Sequence, residues 1–239
     1  MSIAYVNSGG VFNAAAGTTT QFVTPWSPNP GCTLFVWAYH TENAALSCGD
    51  SEGTGNIYVA DADQANGTNL RGVLFRCTNY QGSGPVTITI TNNSNVPCSI
   101  VVAEYSCAPS ATLIEDVTEV KASGTASNPT AGAIVTVTAN TLIIAATGDV
   151  TGATATFAGA ANYNLRQSDG DGSTDFVGAY QDRLFAGPGS TTDAFTYSPT
   201  QNWIAIQAAY KEFVQPPVYD PFIDPGDMTP GGNVSFEIA

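Results

Sequence analysis

Two runs of the chain leave little choice of fold: Thr33-Leu34-Phe35-Val36-Trp37-Ala38-Tyr39 and Thr141-Leu142-Ile143-Ile144-Ala145-Ala146-Thr147. A β-strand points successive side chains to opposite faces, so a run that is apolar throughout must be covered on both sides. A second apolar run closes each half, Ile100 to Tyr105 and Ile204 to Tyr210. The opening threonines, Thr33 and Thr141, stand 108 residues apart, and the closing tyrosines stand 105 apart. That spacing is too long for short solenoid repeats and suits two related halves of one β structure. The expectation is an all-β, jelly-roll-like antiparallel β-sandwich over residues 1–213. Its pseudo-repeated halves are about 1–107 and 108–213, and the four runs are its central strands.

The intervening segments agree with many short strands. Charged residues make up only 11% of the chain, Gly, Thr, Ser, Asn and Ala fill the gaps, and helix signals are nearly absent. Val86-Thr87-Ile88-Thr89-Ile90-Thr91 alternates as a half-exposed strand should. Pro25, Pro28 and Pro30 interrupt the ladder before the first central strand. Short strands are expected at 56–59, 70–76, 134–137, 153–157, 163–166, 176–182 and 195–197. Residues 40–55 read as a polar loop, 61–69 as a turn-rich connection and 92–95 as a turn. From Val214 to Gly232 five prolines preclude a helix or an internal strand, so 214–239 reads as an extended arm. It carries Tyr219, Phe222, Ile223 and Met228, then the alternating Asn233-Val234-Ser235-Phe236-Glu237-Ile238. Such a strand either completes its own domain or docks on a neighbour's sheet edge, which makes Tyr219, Phe222, Ile223, Met228 and Phe236 candidate interface residues.

Six basic residues face twenty acidic ones, for a formal charge of −14. A partner of phosphate backbones must supply cations, so nucleic acid is not an expected partner. No run approaches the roughly 18 apolar residues of a membrane span. Met-Ser-Ile-Ala-Tyr has neither a basic n-region nor an apolar h-region, so the expectation is a soluble chain made in a cytoplasm without a signal peptide. All five cysteines, Cys32, Cys48, Cys77, Cys98 and Cys107, lie in the first half. They read either as small buried hydrophobes in a reducing compartment, or as two bridges plus a spare thiol that pairs between chains.

Candidate chemistry is sparse. The single histidine, His40, ends a core strand and reads as a rim residue, and no GxSxG elbow frames a nucleophile. A carboxylate pair for glycoside hydrolysis would have to come from Glu104 and either Asp50 or Glu52. Asp169-Gly170-Asp171-Gly172-Ser173-Thr174-Asp175 alternates carboxylates with glycine. Asp169, Asp171 and Asp175 are therefore calcium candidates, but the terminal Glu of an EF-hand loop is missing and a plain turn fits as well. Trp26, Tyr58, Tyr80, Tyr163 and Tyr180 fall near loops or strand ends, where aromatic platforms could hold sugar rings or simply join the core. No catalytic residue and no cofactor is expected.

With each half entering through a Thr-Leu-aliphatic strand and leaving through Ala103-Glu104-Tyr105 or Ala208-Ala209-Tyr210-Lys211, residues 1–213 resemble β-sandwich proteins of tailed-phage virions. The resemblance implies a non-enzymatic virion protein of the capsid-decoration or head-fibre type. It would bind a phage capsid or neck protein as a homo-oligomer, by analogy a trimer. A carbohydrate- or receptor-binding module is the alternative.

Overall fold

Eight strands of the first half fill two antiparallel sheets. They are β1 (Ala4–Val11), β2 (Gly17–Val23), β3 (Thr33–His40), β4 (Leu46–Asp50), β5 (Val59–Ala65), β6 (Arg71–Cys77), β7 (Thr87–Val96) and β8 (Cys98–Ser106). One sheet runs β1-β8-β3-β6-β5 and the other β2-β7-β4. With β8 lying between β1 and β3, and β7 between β2 and β4, the half is a rolled-up hairpin, the jelly-roll arrangement. The second half adds β9 (Ala111–Ala126), β10 (Ala133–Thr136), β11 (Thr141–Val150), β12 (Asn164–Asp169), β13 (Phe176–Phe185), β14 (Gly189–Thr192) and β15 (Gln201–Val214). The computed structural model describes residues 3–214 apart from 13, 54, 68, 110, 151–156, 170–175 and 198–200, and describes the backbone alone at 126, 150, 169, 176 and 201.

The second five-stranded sheet, β9-β15-β11-β13-β12, repeats the first strand for strand, and β10-β14 repeats β2-β7. The place of β4 is taken by a single bridge between Ala158 and Thr196. The predicted sandwich of two pseudo-repeated halves is therefore the observed fold, and the four apolar runs are the central strands β3, β8, β11 and β15.

Packing explains why those runs had to be apolar throughout. Leu34, Val36 and Ala38 pack with Ile88 and Ile90 of the outer sheet and with Val86 just before it. Phe35, Trp37 and Tyr39 point the other way, against Leu142, Ile144, Ile206 and Tyr210 of the second half. The molecule is thus four layers deep, with the two five-stranded sheets face to face in the middle and a small sheet on each outer side. Trp37 needs Gly72 beneath it: a Cβ there would come within 2.5 Å of Ile204 Cδ1 and closer still to the indole.

Several local expectations are corrected. The 40–55 loop contains β4, whose hydrogen bonds to β7 hold it in the outer sheet. The 61–69 connection is largely strand, because β5 starts at Val59 rather than Asn56. The chain does not turn at 92–95; β7 continues to Val96, and Asn92 is buried with its amide donating to Gly17 O at 3.1 Å. Residues 195–197 hold only the bridge at Thr196. The 16-residue β9 matches no expected strand. Val214 still pairs with Ala111 and belongs to β15 rather than to an arm. The expected strand at 153–157 falls mostly outside the described residues.

Candidate functional site

The seam between the two central sheets holds two clusters built on one plan. Tyr105 at the end of β8 donates its hydroxyl across the seam to Asp182 Oδ2 at 2.6 Å. Tyr210 of β15 donates back to Asp61 Oδ2 at 2.8 Å. Each carboxylate is also paired with an arginine of its own half: Arg166 Nε to Asp182 at 2.8 Å and Arg76 Nε to Asp61 at 2.9 Å. Asp61 and Arg166 are each the extra residue of a β-bulge, on β5 and β12 respectively. A bulge turns two consecutive side chains toward one face. That is how Asp61 and Ala62 of one half, and Arg166 and Gln167 of the other, both reach the seam.

The repeat maps Tyr105 onto Tyr210, Asp61 onto Arg166 and Arg76 onto Asp182, so acid and base have exchanged strands between the halves. Burial pushes the Asp61 carboxyl up to about 6, with Arg76 and the Tyr210 hydroxyl pulling the other way. Burial drives the phenols of Tyr105 and Tyr210 well above their ordinary range, so both remain donors. A buried ion pair supplied with extra hydrogen bonds fixes geometry more than it adds stability. Sequence reading missed these residues, although laying one half on the other pairs them, at an offset of 105 for Tyr105 with Tyr210 and Asp61 with Arg166, and of 106 for Arg76 with Asp182.

The residues that sequence alone suggested for chemistry are committed elsewhere. Glu104, fully buried, accepts from Trp26 Nε1 at 2.7 Å, Asn29 N at 2.8 Å and Asn29 Nδ2 at 2.7 Å, which pins the Pro-rich loop to β8. Asp50 accepts from Tyr58 Oη at 2.9 Å, Asn56 Nδ2 at 2.8 Å and Glu52 N at 2.9 Å. These carboxylates brace loops. His40 is not a rim residue: it is fully buried, a ring nitrogen meets Ala44 O at 3.0 Å, and burial lowers its pKa.

The proposed aromatic platforms are also occupied. Tyr80 and Tyr180 are fully buried, Trp26 and Tyr58 pack on the core between the sheets of the first half, and Tyr163 Oη bonds the Gln207 amide at 2.6 Å. All five cysteines are free thiols, with Cys32, Cys77 and Cys98 buried, so of the two readings the one with two bridges is not the arrangement observed. Burial raises Cys32 and Cys98 to about 12 and Cys77 to about 11, and it raises Cys48 and Cys107 as well. Thiols held protonated in this way are poor nucleophiles.

Of the calcium candidates, Asp169 ends β12, while Asp171 and Asp175 lie outside the described residues. Among the described residues no group of three or more His, Cys, Asp or Glu could hold a metal, and no helix is long and apolar enough to cross a membrane. The interface candidates Tyr219, Phe222, Ile223, Met228 and Phe236 lie outside the described residues.

Two clefts flank the seam. The larger, about 550 Å³, sits where the halves join and is lined by Pro30, Cys32, Asn79, Cys107 and Pro109, without a charged side chain. The smaller, about 190 Å³, opens on the Arg166 cluster and is lined by Tyr5, Tyr105, Asn162, Asn164, Arg166 and Asp182, with Leu142 and Leu184. The Arg166 guanidinium carbon lies over the Tyr5 ring, 3.7 Å from its centre. Asn164 Nδ2 donates to Asp182 Oδ1 at 3.2 Å. Here a fixed cation, amides and aromatic edges meet an opening. No family model matches the chain, and no curated protein sequence matches it.

Proposed function

We propose that this chain is a non-enzymatic structural protein of a phage particle, a decoration protein that binds and reinforces a capsid or neck surface as a homo-oligomer. The observation that carries the reading is where the buried carboxylates are spent. Glu104, Asp61, Asp182 and Asp193 are each held by donors of the protein itself, so they fix loops and join halves instead of standing ready beside a substrate. The four-layer core suits a part that bears load. The virion assignment rests on the likeness of the two matched halves to tailed-phage β-sandwich proteins. The apolar arm would then supply strand hydrogen bonds and aromatic anchors to a neighbour, with avidity set by the number of copies.

The test compares the full chain with one ending at Val214, since that residue completes β15. Both should give the same β-type circular dichroism and the same thermal midpoint. Only the full chain should co-sediment with particles that lack the protein. Equal co-sedimentation of the shortened chain would overturn the attachment role.

The binding-module alternative loses Trp26 and Tyr58 as platforms, because both rings pack on the core. It keeps one supporting observation, the cleft at Arg166.

A further inference from the structure

The two seam arginines do similar work but are satisfied differently. Arg76 gives both terminal nitrogens to the protein: Nη2 donates to Asp61 Oδ1 at 3.1 Å and Nη1 to the carbonyl of Leu113 in β9 at 2.7 Å, while Nε stands 2.9 Å from Asp61 Oδ2 as an ion pair. Arg166 spends only Nε, on Asp182, and its terminal nitrogens make no hydrogen bond among the described residues. The difference follows from the edge strands. The 16-residue β9 borders β5, whereas the 8-residue β1 borders β12 and leaves the 190 Å³ cleft beside it. Arg166 cannot swing away, because Asp182 holds its Nε and Tyr5 supports its face. Tyr5 is itself held by Ser8, 2.8 Å away, and Ser8 by Gln167 at 3.1 Å. A guanidinium fixed in this way presents two donors in one plane, the geometry that matches a carboxylate.

The rest of the lining narrows the ligand. Asn162 and Asn164 bring neutral amides, each able to donate and accept, as hydroxyls require. Leu184 and the Tyr5 ring offer apolar surface to the C–H face of a small ring. Arg183 also borders the cleft, but its guanidinium is directed elsewhere, bonding Thr191 Oγ1 at 2.9 Å and stacking on Phe185. Asp182 sits behind Arg166 and the chain carries −14 overall, so a doubly charged phosphate would be repelled where a monoanion is tolerated. The volume is below the roughly 300–1,000 Å³ of pockets for drug-sized ligands, so one ring fills it.

We propose that the cleft between β1 and β12 binds a single sugar ring bearing a carboxylate, with Arg166 taking the carboxylate and the Asn162 and Asn164 amides taking hydroxyls. This site is separate from attachment through the arm, and the two roles have separate readouts: co-sedimentation for one, ligand titration for the other.

The experiment titrates the full-length protein with sodium glucuronate, glucose and sodium acetate at constant ionic strength, following backbone amide shifts by NMR. Glucuronate should saturate with a Kd of about 1 mM, and glucose and acetate should each bind at least about tenfold more weakly. Arg166→Gln would strip a buried carboxylate of its partner and risks unfolding. The decisive variant is therefore Asn162→Asp, at an exposed turn whose φ of +68° aspartate accepts. Its added negative charge should weaken glucuronate about tenfold while Arg71→Gln, in an unrelated ion pair with Asp63, leaves binding unchanged. The proposal is overturned by no saturable shift up to about 20 mM glucuronate, by glucose or acetate binding as tightly, or by unchanged affinity in Asn162→Asp.

Discussion

Glu104 shows how a single side chain can resemble a catalytic group in sequence and act as a strut in the fold. Both of its oxygens face donors: Trp26 Nε1 on one side, Asn29 N and Nδ2 on the other. In Glu104→Gln the new amide must point its hydrogens at one of those donors and the charge assistance is lost. The variant should lose about 2–4 kcal/mol in urea unfolding, and amide exchange should accelerate first in residues 24–32. A loss of activity against some polysaccharide, with stability unchanged, would contradict this role. Asp61 makes a second residue-level prediction. Its folded carboxyl keeps a proton up to about pH 6, because burial outweighs Arg76 and Tyr210, whereas an unfolded aspartate releases it near 3.8. Between those values the native state binds more protons, so stability from this group is complete below 3.8 and is lost as pH rises through 6. Relative to Asp61→Asn, the wild type should gain about 1–2 kcal/mol of unfolding free energy on going from pH 7.5 to 5, measured by urea titration at each pH. A difference that stays flat or runs the other way would show that the carboxyl does not titrate as described.

The elements that could be read from sequence are those whose two faces are both buried. β3 and β11 are apolar at successive positions because one face meets a small outer sheet and the other meets the opposite half, and no exposed surface blurs the pattern. β9 stayed hidden for the opposite reason. It is an edge strand with register shifts opposite Gln207, Ala209 and Tyr210, so its apolar residues Leu113, Val117, Val120 and Ala122 fall out of phase with a period of two. The candidate site was hidden by the same device, since the bulges at Asp61 and Arg166 turn those charges to a face that alternation would not assign. The close fit across the seam was equally invisible, because nothing in the sequence shows which glycine lies under which ring. Gly72 on β6 lies under Trp37 of β3 and against Ile204 of β15. Gly72→Ala has no void to fill, so it must displace a fully buried indole and should cost about 1–3 kcal/mol. Near-ultraviolet circular dichroism would reveal the shifted tryptophan, and a substitution that is neutral by both measures would mean the two sheets sit farther apart than described.

At the scale of the whole molecule, the central layer makes the two jelly rolls one folding unit. Each five-stranded sheet presents a broad apolar face, with Phe35, Trp37 and Tyr105 on one side and Leu142, Ile144 and Tyr210 on the other, and neither half could leave such a face in water. Both tyrosine hydroxyls cross the seam to a carboxylate, and Asn66 Nδ2 adds bonds to Gly124 O and Trp203 O, each at 3.2 Å. Acid and base have exchanged places between the halves. Pairing two copies of the first half would therefore bring Tyr105 to Arg76 where the real seam offers Asp182, and unlike halves are favoured over like ones. Heating should accordingly give a single transition with calorimetric and van't Hoff enthalpies in agreement. A protease site inserted between Pro109 and Ser110 tests the same point without altering the seam. After cleavage the two fragments should elute together as a one-to-one pair at the size of the intact chain and come apart only in denaturant. If the fragments separate as folded halves, or redistribute into pairs of identical halves, then the connecting segment rather than the seam holds this molecule together.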